Sequence, residues 1–130
     1  MLNQSGITTA TFGAPKQILA DTTLKYSLGC VVDSTVGVTV GANKIAKAGT
    51  PITGDLNART TAFVAASGVE GSNDAVGVLL HDVDVTNGDA NGTVLIFGFI
   101  NKNRLETDTQ ALLTGPVITA LKNKVTVLTV

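Results

Sequence analysis

Apolar residues arrive in short runs from Leu28 onward, and few of them recur with a helical period. In CVVDSTVGVTV (residues 30–40), Val36, Val38 and Val40 share one parity, the pattern of a strand buried on one face. NKIAKAGTPITGD (43–55) predicts a short strand broken at Gly49 and Pro51, because proline has no N–H to give to a ladder. TTAFVAAS (60–67) predicts a further strand, and GVEGSND (68–74) a turn. The strongest strands are AVGVLLHDVDV (75–85) and TVLIFGFIN (93–101), apolar on both faces and therefore central in a sheet or covered by another subunit. Phe97 and Phe99 share a parity that places them in the core or at a subunit contact. TNGDANG (86–92) lies between these two runs and holds two Asn-Gly pairs, which tolerate the positive φ of tight reversals. Asp82, Asp84, Asn87, Gly88, Asn91 and Gly92 are accordingly expected around a hairpin turn.

Helical signal is confined to the tail. Pro116 suits a first helical turn, Val117 and Leu121 stand four apart, and Lys122 and Lys124 favour the C-terminal end. Thr107 or Asp108 is placed to cap an earlier turn, and VTVLTV (125–130) closes the chain as a strand. Residues 1–27 sustain no period. They read as an extended arm ahead of a single β-rich domain, residues 28–130. Thr8, Thr9, Ala10 and Thr11 favour an extended strand against a partner, with Ile7 or Phe12 filling a pocket and Gly13-Ala14-Pro15 ending the pairing.

Composition sharpens this picture. Charged residues are 15% of the 130, against about 25% in an average globular protein. Such a bare surface is a solubility liability in a free monomer and predicts that other subunits cover part of it. With a net charge of −1 there is no basic field for nucleic acid. VLIFGFI (94–100) is too short to span a membrane, and no cationic start leads into an apolar run, so a soluble chain made in the cytoplasm is expected. Cys30 is alone, which excludes an intrachain disulfide, and its setting in LGCVV predicts a small buried hydrophobe.

One motif carries possible chemistry. Asp82, Asp84 and Thr86 spell D-x-D-x-T, the opening of a phosphatase site with an Asp nucleophile. That chemistry needs a helix after the motif, a downstream Lys and Ser/Thr, and a further acidic cluster; here the motif runs into a two-glycine turn and returns as a strand, and Asp89, Glu106 and Asp108 form no second pair. Read as a calcium loop, the count from Asp82 puts Asn87 where Gly is required and Thr93 where Glu is required. A cation loop of another type, using Asp82, Asp84 and Asp89, is the remaining metal alternative. His81 is the only histidine, so neither a zinc site nor a hydrolytic triad has its ligands. Tyr26 and four Phe expected to be buried give no aromatic platform for a glycan. The expectation is a non-enzyme without cofactors, in which Asp82 and Asp84 accept backbone N–H groups and orient a turn.

KAGTPI (47–52), then AVGVLLHDVDVTNGDANGTVLIFGFINKNRL (75–105), then a short helix and closing strand resemble the head-decoration and short head-fibre proteins of tailed bacteriophages. Gly49, Thr50, Pro51, Gly77, Val78, Leu79, Leu80, Asp82, Val83, Asp84, Gly98, Ile100 and Asn101 match that family's pattern, and residues 1–27 lie outside it. The resemblance implies a mainly β fold, a small β-clip-like or barrel/sandwich domain with one short C-terminal helix. It implies a homotrimer on the outer capsid surface of the virion, with the major capsid protein as partner and residues 7–12 of the arm joining the shell. A structural decoration role is expected, with the base of a head fibre as the alternative and a calcium- or glycan-binding module as a remoter one.

Overall fold

The computed structural model describes residues 17–66, 74–121 and 124–130. The domain is mainly β, as expected. Its strands are β1 (Tyr26–Val32), β2 (Val38–Val40), β3 (Asn43–Ala46), β4 (Pro51–Thr53), β5 (Val64–Ala65), β6 (Gly77–Leu79), β7 (Val83–Asp84), β8 (Ala90–Asn101) and β9 (Val125–Leu128). Two short helices, α1 (Thr107–Gln110) and α2 (Gly115–Leu121), precede the last strand. One six-stranded sheet runs β9-β8-β6-β4-β5, with β1 also paired to β8, and a three-stranded sheet runs β2-β3-β7. The β8–β9 pair is parallel, and every other strand pair is antiparallel.

Strand β8 organises the molecule because both its faces are covered. Val94 enters one hydrophobic cluster with Val32, Ile52, Phe63, Leu79 and Val85, while Leu95 enters another with Ile18, Leu19, Ile100, Val117 and Leu121. Full burial of such side chains stabilises by about 1.5–3 kcal/mol each. β8 is also irregular. Ser27 stands opposite Leu95 but Tyr26 opposite Phe97, so Ile96 is an extra residue in the ladder. Gly98 follows at φ +153, outside the range that side chains favour. This bulge reverses the parity of everything after it. Ile100 thus enters the cluster that Leu95 serves, although the two differ in parity.

The bulge also removes the core as the place of Phe97 and Phe99, one of the two expected for them. Phe97 is 42% exposed and Phe99 is half-buried, so neither is a core residue of this chain. Phe63 alone among the described phenylalanines is fully buried. The arm boundary moves as well. Residues 1–16 lie outside the described residues, but Ile18 and Leu19, expected in the arm, are buried, and Leu19 bridges to Ile100. No period announced them because two adjacent residues enter one cluster from a segment only a few residues long.

The hairpin expectation is half right. β6 and β8 are antiparallel neighbours, with Val78 opposite Leu95. The chain between them is no tight reversal, because β7 leaves to pair with β3 in the other sheet. Gly88 sits in the turn at φ +127, its N–H donating to Val85, whereas Asn91 and Gly92 belong to β8 opposite Val31 and Cys30. A Cβ on Gly92 would stand 2.8 Å from Val32 Cγ2 and 2.9 Å from Val83 Cγ2, so glycine is needed there for close packing and not for a turn. Val38 and Val40 are also exposed, at an edge strand where one buried face was expected, because the apolar residue of that parity that packs is Val36 in the preceding 3-10 turn.

At the tail Pro116 lies in the first turn of α2, and Val117 and Leu121 are its buried face. Glu106, not Thr107 or Asp108, occupies the cap position of α1, and its side chain makes no capping bond. Most of the turn expected at 68–74, together with Lys122, lies outside the described residues.

Candidate functional site

The D-x-D-x-T stretch sits where the two sheets meet, and each of its polar side chains is engaged with neighbouring structure. Asp82 Oδ1 accepts the N–H of Ala48 at 2.7 Å, holding the tight segment between β3 and β4. Asp84 Oδ1 accepts both the N–H of Thr86 at 2.9 Å and its hydroxyl at 2.5 Å. The Thr86 oxygen in turn accepts the N–H of Lys44 at 2.9 Å, fastening this turn to β3. Asp89 Oδ1 accepts the N–H of Ser34 at 2.9 Å. Asp82, Asp84 and Asp89 therefore serve three separate segments. Among the described residues no three His, Cys, Asp or Glu side chains are grouped to hold a metal ion.

The Asp84 arrangement recurs. Asp33 Oδ1 accepts the N–H of Thr35 at 2.8 Å and its hydroxyl at 2.6 Å, and Asp21 Oδ1 does the same with Thr23 at 2.9 and 2.7 Å. D-T-T at 21, D-S-T at 33 and D-V-T at 84 are thus one local device, an aspartate bonding the residue two ahead. The repetition was visible in the sequence and identifies the last three letters of D-x-D-x-T as a turn. The threonine hydroxyl, then its amide, holds the Asp84 and Asp33 carboxyls below the usual range. For Asp21 the Thr23 amide leads and its hydroxyl follows.

Lys47 was not singled out in the sequence, yet it is the centre of an ion-pair cluster. Its Nζ lies 3.2 Å from Glu106 and 3.1 Å from Asp108, tying the β3–β4 connection to the start of α1. Desolvation opposes the charge on Lys47, but the bonds to Asp108 and Glu106 outweigh it and raise the ammonium's pKa. Cys30 is buried, and that burial pushes its thiol up, with Arg59 opposing. The first feature pins two segments together, and the second fills space.

The surface offers a different kind of site. Tyr26 and Phe97 are opposite one another on β1 and β8 and are 57% and 42% exposed. Leu24, whose carbonyl lies beside Gly98, is 51% exposed. These three make an apolar row at the bulge, with Lys25 between Leu24 and Tyr26 in the chain. No family model and no curated protein matches the chain. The site is therefore read from its own chemistry. Three large apolar groups exposed around the bulge belong to neither hydrophobic cluster, and their burial needs another surface. Sequence reasoning singled out Phe97, weighed Tyr26 only as a glycan platform and passed over Leu24, since residues 24 and 26 lie in a stretch with no period. An aromatic at residue 26, just before an apolar run, was the available signal.

Proposed function

We propose that this chain is a structural protein of a tailed-phage virion, which binds the outside of the capsid as a homotrimer and stabilises it. The observation that carries the reading is the exposed row of Leu24, Tyr26 and Phe97 on a chain with so few charges. Its support beyond that is the resemblance in residues 47–52 and 75–105 and the structural use of every carboxylate in D-x-D-x-T. Covering the row in the trimer removes apolar surface from water at about 25 cal/mol per Å². Three copies on one trimer then engage the shell together, so that contacts weak alone become firm by effective concentration. A trimer straddling several shell subunits resists their separation under outward pressure.

Two measurements test this. Light scattering of the full chain should give roughly three times its 13.2 kDa mass. The trimer should co-sediment with empty phage capsids, and Tyr26→Lys/Phe97→Lys should abolish both. A folded monomer that binds no capsid would overturn the reading.

A further inference from the structure

The small sheet leaves one of its faces bare. Residues paired across neighbouring strands project to the same side. Ala46 and Val83 are such a pair, and both are buried in the cluster around Phe63, which makes theirs the inner face. Thr39 and Lys44 share that parity. Val38, Ile45 and Asp84 form the adjacent row across all three strands and so point outward, with the pair Val40 and Asn43 beside them. Val38 is 40% and Val40 46% exposed, Ile45 is half-buried, and none of the three belongs to either hydrophobic cluster. The alternation of Val38 and Val40 thus marks a strand face that the chain itself leaves open. Asp84 is the only charged residue that these strands place there, since Lys44 falls on the inner side. Thr86 occupies its Oδ1, and its Oδ2 accepts no hydrogen bond among the described residues.

The exposed row of Leu24, Tyr26 and Phe97 has the opposite charge character. Lys25 Cβ is 3.5 Å from where a Gly98 side chain would begin, and Lys124, whose carbonyl accepts the Gly98 N–H at 3.0 Å, is also exposed. Three such rows meeting on a threefold axis would bring like charges together, which is unfavourable. A ring of three instead repeats one head-to-tail contact between two unlike surfaces of each copy. The row therefore calls for an apolar surface of negative charge. Leu112 and Ile118 are exposed too, but the carboxylates ahead of them, Glu106 and Asp108, already share Lys47. The outer face of the small sheet combines exposed valines with a carboxylate that no lysine or arginine pairs with among the described residues. A copy cannot close this contact on itself. Val83 Cγ2 packs at Gly92 and Lys25 at Gly98, about 20 Å apart along β8 at ~3.3 Å per residue.

We propose that the outer face of β2, β3 and β7 receives the Leu24, Tyr26 and Phe97 row of a neighbouring copy, with Lys25 set against Asp84. The proposal rests on the trimer reading and names the second surface that this reading requires. Val38 and Val40 pack against the two aromatic rings, and the ion pair fixes the direction of the contact. Each copy gives one row and one face, and the third row closes on the first face.

The test uses the full chain. Val38→Lys/Val40→Lys alters only exposed side chains, so it should lower the light-scattering mass threefold with an unchanged circular dichroism spectrum. Carbodiimide, which joins a carboxylate to an ammonium in direct contact, should link Lys25 of one chain to Asp84 of another, and Asp84→Asn should remove that link. The link is read on the unmodified chain, so it decides the matter even if the double variant misfolds. A full chain that is monomeric sinks the trimer reading, and the docking with it. A trimer whose Lys25 does not link to Asp84 sinks the docking alone, and so does a double variant that keeps the trimer mass. If that variant stays trimeric but no longer co-sediments with empty capsids, the face belongs to the shell and not to a sister subunit.

Discussion

The two hydrophobic clusters share β8 but recruit from different parts of the chain. Among the described residues the cluster around Phe63 draws its buried members from Cys30 to Val94, and turns around it are fastened by Asp33, Asp84 and Thr86. The cluster around Leu95 draws on Ile18 and Leu19 at one end of the described chain and on Val117, Leu121 and Val125 at the other. The buried members of the first span some sixty residues of sequence, those of the second more than a hundred. One strand with a bulge serves both, which explains why twelve residues of β8 carry so much of the fold.

The largest effect that would break this comparison is Phe63→Ala. The ring is fully buried under Gly54, so truncation should cost about 3–5 kcal/mol in urea unfolding. If the clusters are distinct units, hydrogen exchange should speed at Val32 and Ile52 well before Leu121 and Val125. Equal loss at all four positions would make them one unit.

Glycines at β8 test the seam next. A Cβ on Gly77 would stand 2.4 Å from the Leu95 carbonyl oxygen, which is backbone and cannot yield. Gly77→Ala should therefore cost about 1–3 kcal/mol. Gly92→Ala meets only the methyl groups of Val32 and Val83 and should cost less, as read from midpoints of denaturation. The reverse order would mean that the cluster around Phe63 is the more tightly packed.

The smallest effect concerns acid. The carboxyls of Asp21, Asp33 and Asp84 are held below their ordinary value of 3.8. A depressed folded value contributes stability that is present above the unfolded value and lost as pH falls through the folded one. Asp84→Asn should lower Tm slightly at neutral pH and flatten its fall below about pH 4. Asp21→Asn should do the same while fraying only the segment ahead of β1. An unchanged pH profile in Asp84→Asn would show that the turn contributes nothing to stability.

The sequence made the middle and the tail of the described chain legible and hid its first residues. Alternation and glycine placement led to β4, β6 and β8, and Pro116 with Val117 and Leu121 led to α2, because each signal acts within one element. Ile18 and Leu19 were hidden because their burial depends on β8, some eighty residues later. The bulge at Ile96 was also hidden, since an extra residue shows only against its partner strand, and with it went the outward turn of Phe97. Asn91 and Gly92 were misplaced because Asn-Gly marks turns on average, whereas here the glycine makes room for Val32 and Val83. Asp82 and Asp84 were read as acceptors of backbone N–H groups, and they are.

Ile100 stands between Leu19 on one side and Val127 on the other. During synthesis the first of these leaves the ribosome more than a hundred residues before the second. Among the described residues the cluster around Phe63 has its buried members once Val94 has emerged, so it can assemble on a chain still being made. The cluster around Leu95 must wait for Val125, and until then Ile18, Leu19 and one side of Ile100 remain uncovered. Long-range closure of this kind is slow, and the open interval is when such a chain aggregates. The domain is thus finished by its last strand, and translation sets the order in which its two halves appear.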